Sequence, residues 1–509
     1  MTSFEVAIIG AGPAGSVAAR LLASWGHEVV VCSRRTGHDR SLGESLPPSC
    51  VTLLERVGIA TGGLDAAGFL RSAGNTVLWG TDERVEPFAP GVHGYQVERA
   101  DFDEYLAREA VGAGADLRLG ANVTGVRPGD PMAVSYEYDG EPAVLSARWV
   151  LDCSGRVGVI ARSLQHPLTR VPARFPRDDK GKRTTAIVGV WERDDRWPTP
   201  EQSHTIVETT AEGWAWSVPV SLRRRYVTLM VDPTVTQLAT REGLASAYLE
   251  QLSRTRLLSA LVKDAQLTGP VYARDASAYD SRSFCEPGTL LVGDAASFVD
   301  PLSSYGIKKA VASAWLASVV VHSSVLNASI ATAALDLFNT RERAMYDGLA
   351  RGAAALARDA AGVHPTAFWE SRAASIDGGI GSEPDPAVLR SDGDVLRSFE
   401  ELRRSDAIRL RLSSLVQRVS RPTVRGNRIV VEEHLVVPAF PDGVRYVRNV
   451  DLVRLSELAA SYGQVPDLFE AYNRAASPAP LPDFLGALSL LIGKGFLEWA
   501  TADPSLRSG

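Results

Sequence analysis

A short apolar run, Phe4 to Ile9, ends in Gly10-Ala11-Gly12-Pro13-Ala14-Gly15 and passes into a helical pattern that reaches about Ser24. No other feature of the chain restricts its fold as much. Strand, glycine turn and helix in that order open a doubly wound α/β domain. Gly10 makes the tight turn, Gly12 lets backbone amides approach a pyrophosphate at the positive helix end, and Ala14-Gly15 lets helix pack on strand. A second strand follows on schedule as Glu28-Val29-Val30-Val31. The acidic residue that commonly ends this strand and binds a ribose hydroxyl is replaced by Cys32-Ser33-Arg34-Arg35. Ser33 could accept the hydroxyl and Arg34 could lie over adenine or a phosphate; a solvated arginine pair at a strand end is the plainer alternative.

The rest of the composition narrows the function class. At 509 residues the chain is too long for one ordinary domain. Its 54 basic and 60 acidic residues give a net charge of −6, which argues against coating nucleic acid or an anionic membrane. Lysine is scarce: Lys180, Lys182, Lys263, Lys308, Lys309 and Lys494 make six of the 54, leaving 48 arginines. Cys32, Cys50, Cys153 and Cys285 stand far apart, so neither a disulfide framework nor a metal site is expected. The N-terminus runs straight into a strand, and the most apolar stretch, Ala310 to Leu326, is interrupted by Ser313, Ser318, His322 and Ser323. A cytoplasmic protein without a membrane span is expected.

Three further segments select the nucleotide. Arg99-Ala100-Asp101-Phe102-Asp103 opens a helix with Phe102, Tyr105, Leu106 and Ala110 at helical spacing. Trp149-Val150-Leu151-Asp152 leads into Cys153-Ser154-Gly155-Arg156, and Leu291-Val292 leads into Gly293-Asp294-Ala295-Ala296. With the glycine turn, these resemble the R-x-x-F-D, D-x-S-G-R and G-D-A-A elements of FAD-dependent aromatic hydroxylases built on the glutathione-reductase-like fold. The resemblance implies FAD, with Arg99 at the flavin's phosphate or ribityl region and Asp294 on a ribityl hydroxyl. It also implies that the helix after Asp294 points its N-terminus at the flavin N1–C2=O edge, where the reduced form is negative.

Three more segments resemble the halogenase-like branch of these flavoproteins: Gly43-Glu44-Ser45-Leu46-Pro47-Pro48, Gly213-Trp214-Ala215-Trp216-Ser217-Val218-Pro219, and Phe298 to Gly306. The resemblance implies cofactor contacts from Glu44, Ser45, Pro301, Gly306 and Ile307, with Ser304 in the segment that holds halide in halogenases. It sets Trp214 and Trp216 beside the flavin, obstructing direct oxygenation at C4a. Two tryptophans at i and i+2 also suit one packed face of a strand. Halogenases need a lysine downstream of the G-E-S segment to hydrogen-bond hypohalous acid. Between Gly43 and Gly80 this sequence has none and offers Arg71, a planar permanent cation rather than a compact amine. Lys308 and Lys309 instead follow Gly306, and one of them, assigned as Lys308, is expected to stabilise the reduced flavin by charge.

The organisation expected is an FAD-binding domain in three pieces, 1–80, 95–165 and 271–330, with a substrate-side sheet from 81–94 and 166–270. A mainly helical region, 331–509, follows, with a winged-helix-like unit over 428–500. The function implied is FAD-dependent monooxygenation of an electron-rich aromatic substrate, an indole or phenol, free or carried on a peptide or carrier protein. Reduced flavin and O2 would act through a C4a-hydroperoxide. No second dinucleotide fingerprint appears, so NAD(P)H or a partner flavin reductase supplies the electrons. The alternatives are an FADH2-dependent halogenase with an atypical cation, and a flavoprotein maturation or interaction factor or isoprenoid-type flavin reductase. Neither nucleic acid nor a membrane is expected as a partner.

Overall fold

The computed structural model describes residues 2–34, 41–162, 170–171, 183–234, 241–303, 305–373, 392–405, 407–438 and 440–500. It divides into two compact units, Met1–Gly378 and Gly379–Gly509.

Strand Thr2–Ile9 lies inside the parallel sheet of the first unit, next to Val29–Ser33 on one side and Glu141–Asp152 on the other, with Val6 opposite both Val29 and Trp149. Asp116–Leu119 and Thr289–Leu291 extend the parallel sheet outward. Val6 to Ile9 and Val29 to Cys32 are buried, as expected of apolar strands covered on both faces. The first helix, Pro13–Ser24, packs on the long core helix Gly306–Leu326. That core helix is long and apolar enough to cross a membrane, and 72% of its most apolar window is buried inside the protein. Its apolar character is explained by the core it fills.

A seven-stranded sheet forms the second layer. Its order is Gln266–Asp275, Thr185–Glu192, Arg224–Val231, Gly213–Pro219, Thr205–Thr210, Gly74–Trp79, Asp82–Pro87. Strand periodicity divides its faces. Ile187, Ala215, Val227 and Leu229 point to the back, where they form a core with Tyr248 and Leu258 of the helices Arg241–Ser253 and Leu257–Val262. Ala186, Trp214, Trp216 and Met230 point to the front. A small sheet of Gly43–Leu46, Gly94–Glu98 and Leu70–Ser72 adjoins it.

Several sequence expectations change here. Gly74–Trp79, read as part of the FAD-binding piece 1–80, pairs in parallel with Thr205–Thr210 and belongs to the second sheet. The G-E-S segment forms the strand Gly43–Leu46. Residues 241–263 form two helices, Arg241–Ser253 and Leu257–Val262, with Arg254 to Arg256 between them. The helices Ala331–Val363 and Ala367–Ala373, assigned from sequence to the C-terminal region, lie within the first unit.

The second unit combines an antiparallel meander, Gln417–Arg425, Arg428–Val437 and Phe440–Val444, with helices Gly393–Arg404, Leu452–Ala459, Val465–Ala475 and Leu481–Gly493. Leu435, Leu452, Tyr472, Phe484 and Leu488 share its core, which explains the apolar face of the last helix.

Candidate active site

The glycine turn is built by three different constraints. Gly10 has φ +99°, a conformation that L side chains rarely adopt, and a Cβ there would lie 2.7 Å from the Cys153 carbonyl oxygen. A Cβ on Gly15 would lie 1.9 Å from the Gly10 carbonyl oxygen, so this residue allows helix to meet strand. At Gly12 a Cβ would meet nothing nearer than the Asp103 carboxylate at 3.9 Å and would project into open space. Among the described residues no side chain caps the first helix at Gly12, so its first-turn amides are available to a ligand.

That open space is a cavity of about 1010 Å³ running from the glycine turn to the front of the seven-stranded sheet. Ser33 and Arg34 line its near end, and Ser33 Oγ accepts a 3.2 Å hydrogen bond from the Ala11 amide. Asp152 folds its own loop, accepting from the amides of Ser154 at 3.0 Å and Ile160 at 2.7 Å.

Charged groups occupy the middle. Arg99 makes two hydrogen bonds to Asp103, at 2.9 and 3.0 Å, and lies 3.6 Å from Glu44. Burial pushes the Glu44 carboxyl up, and Arg99 pulls it back. Arg99, Glu44, Ser45 and Asp294 all line the cavity. The Gly293–Asp294 motif forms a 3-10 turn, Gly293–Ala295, and the long helix begins only at Gly306, so the helix expected directly after Asp294 is displaced along the chain. Pro301, Gly306 and Ile307 line the cavity as the resemblance implies, whereas Ser304 lies outside the described residues.

The two adjacent lysines separate cleanly, because neighbours on a helix point about 100° apart. Lys309 is buried and lines the cavity; its ammonium donates to the carbonyls of Gly293 at 2.9 Å and Ser297 at 2.5 Å and stands 3.7 Å from Asp294. Lys308 donates to the Ser49 hydroxyl at 3.2 Å and covers the Tyr305 ring, and it is not among the cavity-lining residues. The assignment of Lys308 is therefore corrected to Lys309.

At the far end Trp214 and Trp216 stack, with ring centroids 4.7 Å apart and planes inclined by 25°. Phe298 and Met230 complete an apolar wall, and the Arg156 guanidinium lies 4.0 Å from the Phe298 ring centroid and 3.3 Å from Asp275. The indole nitrogen of Trp214 is buried without a hydrogen-bond partner among the described residues.

Arg71 does not reach this chamber. It lies on the exposed face of Leu70–Ser72, in two hydrogen bonds with Asp65 at 2.8 and 2.6 Å, and these hold the Asp65 carboxyl down to about 2. Strand alternation turns Ser72 inward instead, where its hydroxyl accepts from the Gln96 amide at 3.1 Å; the same amide donates to Thr205, a cavity residue. Arg71→Ala should accordingly leave flavin content and turnover at wild-type levels, and a loss of either beyond twofold would return Arg71 to the site. Sequence reasoning missed Asp103 as the partner of Arg99, although their spacing of four residues on a helix carries that signal. It also missed the Ser72–Gln96–Thr205 cluster, which no motif marks.

The family model for tryptophan halogenase matches residues 81–406. The chain belongs to the tryptophan halogenase family. Tryptophan 2-halogenase of Chondromyces crocatus is 29% identical to this family member over 332 residues, 64% of this chain and 62% of the relative. The match thus spans less than two thirds of the relative's length. Among solved structures, the flavin-dependent halogenase CmlS aligns with a TM-score of 0.77 at 23% identity, over 99% of this chain and 97% of its own. The peptidyl tryptophan dihydroxylase QhpG aligns with a TM-score of 0.67 at 22% identity, over 97% and 100%. These two likenesses concern the fold. The family is one of flavin-dependent enzymes, and the site fits FAD on its own geometry: an uncapped helix end, a glycine whose missing Cβ faces the cavity, and a charged middle section leading to an aromatic chamber.

Proposed function

We propose that this family member is an FAD-dependent monooxygenase acting on an electron-rich aromatic ring, an indole or phenol, free or carried on a peptide or carrier protein. The observation that carries this reading is that Gly43 to Gly80 contains no lysine and that the inward residue of Leu70–Ser72 is a serine, so this segment supplies no amine for hypohalous chemistry. Reduced FAD supplies two electrons to O2 and so an electrophilic oxygen atom. The chain does the rest. Gly12 and the first helix end would hold the pyrophosphate, Arg99 and Asp294 would bind the ribityl chain, and Lys309 would set positive charge beside the flavin; all four residues line the cavity. Trp214, Trp216 and Phe298 supply flat apolar walls that suit an aromatic ring and exclude water.

The charged pair Arg156–Asp275 beside this chamber favours an aromatic substrate with polar attachments over an isoprenoid chain. A peptide-borne ring has precedent in the like-folded dihydroxylase acting on peptidyl tryptophan. NAD(P)H or a partner flavin reductase provides the reduced flavin.

The test is mass spectrometry of indole and phenol substrates, free and within peptides, incubated with reduced FAD and isotopically labelled O2, with and without bromide. Incorporation of labelled oxygen at a rate independent of bromide is expected. Bromide-dependent halogenated product would instead select the FADH2-dependent halogenase, with Lys309 as its amine. A chain that bound flavin tightly but turned over none of these substrates would point to a maturation or interaction role.

A further inference from the structure

Behind the Gly293–Asp294 turn lies a carboxylate that no sequence motif marks. Glu342, on the helix Ala331–Val363, is 1% exposed, and neither of its carboxylate oxygens has a hydrogen-bond partner among the described residues. Phe338 and Tyr346, one turn to either side on the same helix face, are also buried. The groups that favour its ionised form both come from the core helix Gly306–Leu326: the Lys309 ammonium and the Ser313 hydroxyl. Both grip the flavin-side turn. Ser313 Oγ accepts from the Gly293 amide at 3.0 Å, while Lys309 donates to the Gly293 carbonyl and lines the cavity beside Asp294. Of the other titratable groups that face Glu342, the Cys285 thiol is pushed up to about 12 by burial, and the Tyr346 hydroxyl is pushed well above its ordinary value. Both stay neutral through the physiological range.

A buried carboxylate whose oxygens have no hydrogen-bond partner among the described residues is costly to keep charged. Burial accordingly pushes the Glu342 carboxyl up from 4.5 to about 7, with Lys309 pulling the other way. Any negative charge added on the cavity side of Lys309 competes for the same ammonium.

We propose that Glu342 is a positioning residue that takes up a proton when the flavin in the cavity is reduced, with Lys309 linking the two. The proposal rests on the reading of the cavity as an FAD site. Two electrons and one proton convert bound FAD to its anionic reduced form, which adds one negative charge beside Lys309. A second proton, from solvent, then binds a carboxylate oxygen of Glu342, so that the buried cluster gains no net charge. On reoxidation by O2 that proton is released again.

The experiment is a spectroelectrochemical titration of the FAD-loaded protein from pH 5.5 to 8.5, with dithionite as reductant. In the wild type the potential should fall with a slope of one proton per two electrons at the acid end and steepen toward two protons per two electrons above neutrality. In Glu342→Gln the slope should stay at one throughout. The two proteins should agree at acid pH and diverge above about pH 7 with the wild type lower, since only there does it keep a carboxylate the variant lacks. Parallel curves at any offset would overturn the proposal, because a merely structural residue shifts the potential equally at all pH. Should the variant fail to fold, redox-difference infrared spectroscopy of the wild type at pH 8 provides the second measurement. A protonated carboxyl stretch should appear on reduction, and its absence refutes the proposal. A protein that does not bind FAD at all would refute the cavity reading itself, a distinct failure.

Discussion

Gly12→Val should fold and fail to retain FAD. Among the described residues the first helix has no side-chain cap and offers its first-turn amides to the cavity, and the nearest atom to a Cβ on Gly12 is the Asp103 carboxylate at 3.9 Å. A branched side chain therefore costs the apoprotein little, but it occupies the volume a pyrophosphate needs. Flavin content after gel filtration should fall at least tenfold, while the melting temperature of the apoprotein stays within a few degrees of wild type. Gly15→Val is the contrast: its Cβ would fall 1.9 Å from the Gly10 carbonyl oxygen, so the helix must leave the sheet. That variant should be poorly soluble with or without flavin. Full flavin occupancy in Gly12→Val would remove this turn from the cofactor site.

The second large effect is at the lysine pair. Lys309→Met removes two charge-assisted hydrogen bonds to backbone carbonyls and an ammonium that stands 3.7 Å from Asp294 and favours the charged form of Glu342. Breaking a buried charge pair typically costs about 3–5 kcal/mol. Here the cost is limited, because Glu342 is already raised to about 7 and rises further once the favourable charge of Lys309 is gone, so it can neutralise by protonation. The sign of the pH dependence follows. A carboxyl raised in the folded state favours folding at low pH, and that advantage disappears as pH rises through the folded value. Lys309→Met should therefore be closest to wild-type stability near pH 5 and fall furthest behind above pH 8, measured by thermal unfolding. Its flavin potential should also drop and product formation slow. Lys308→Met loses a contact to Ser49 and a ring contact to Tyr305 at the surface, together under about 1 kcal/mol. Equal effects from the two substitutions would contradict the orientation of this helix.

The cofactor half of the molecule was readable because its signals are local. The glycine turn, Arg99 and Asp294 each sit in a stretch whose spacing and chemistry are self-contained, and all of them line one cavity. The tryptophan pair was readable for a similar reason, since i and i+2 on a strand share a face. What escaped depends on long-range pairing or on rotation about an axis. Lys308 and Lys309 are chemically identical, and only the packing of the core helix decides which one is inside. Arg71 drew notice as the cation nearest the missing lysine's place, yet the alternation of a three-residue strand puts Ser72 inward. Glu342 lies in an alanine- and arginine-rich helix where a lone glutamate reads as solvated, and only the approach of two helices buries it.

The parallel seam between Gly74–Trp79 and Thr205–Thr210 has a consequence for biosynthesis. Its paired residues stand 130 positions apart in the chain. At ~5–20 residues per second, the ribosome needs on the order of 10 seconds to deliver the second partner after the first. Through that interval the earlier strand has only its hairpin neighbour Asp82–Pro87, whose residues are all exposed in the finished fold. The acidic Asp82, Glu83 and Glu86 on this outer strand would keep the nascent hairpin from pairing with another chain during the wait. Neutralising those three carboxylates should therefore reduce the yield of soluble protein during synthesis while leaving the purified native protein as stable as before.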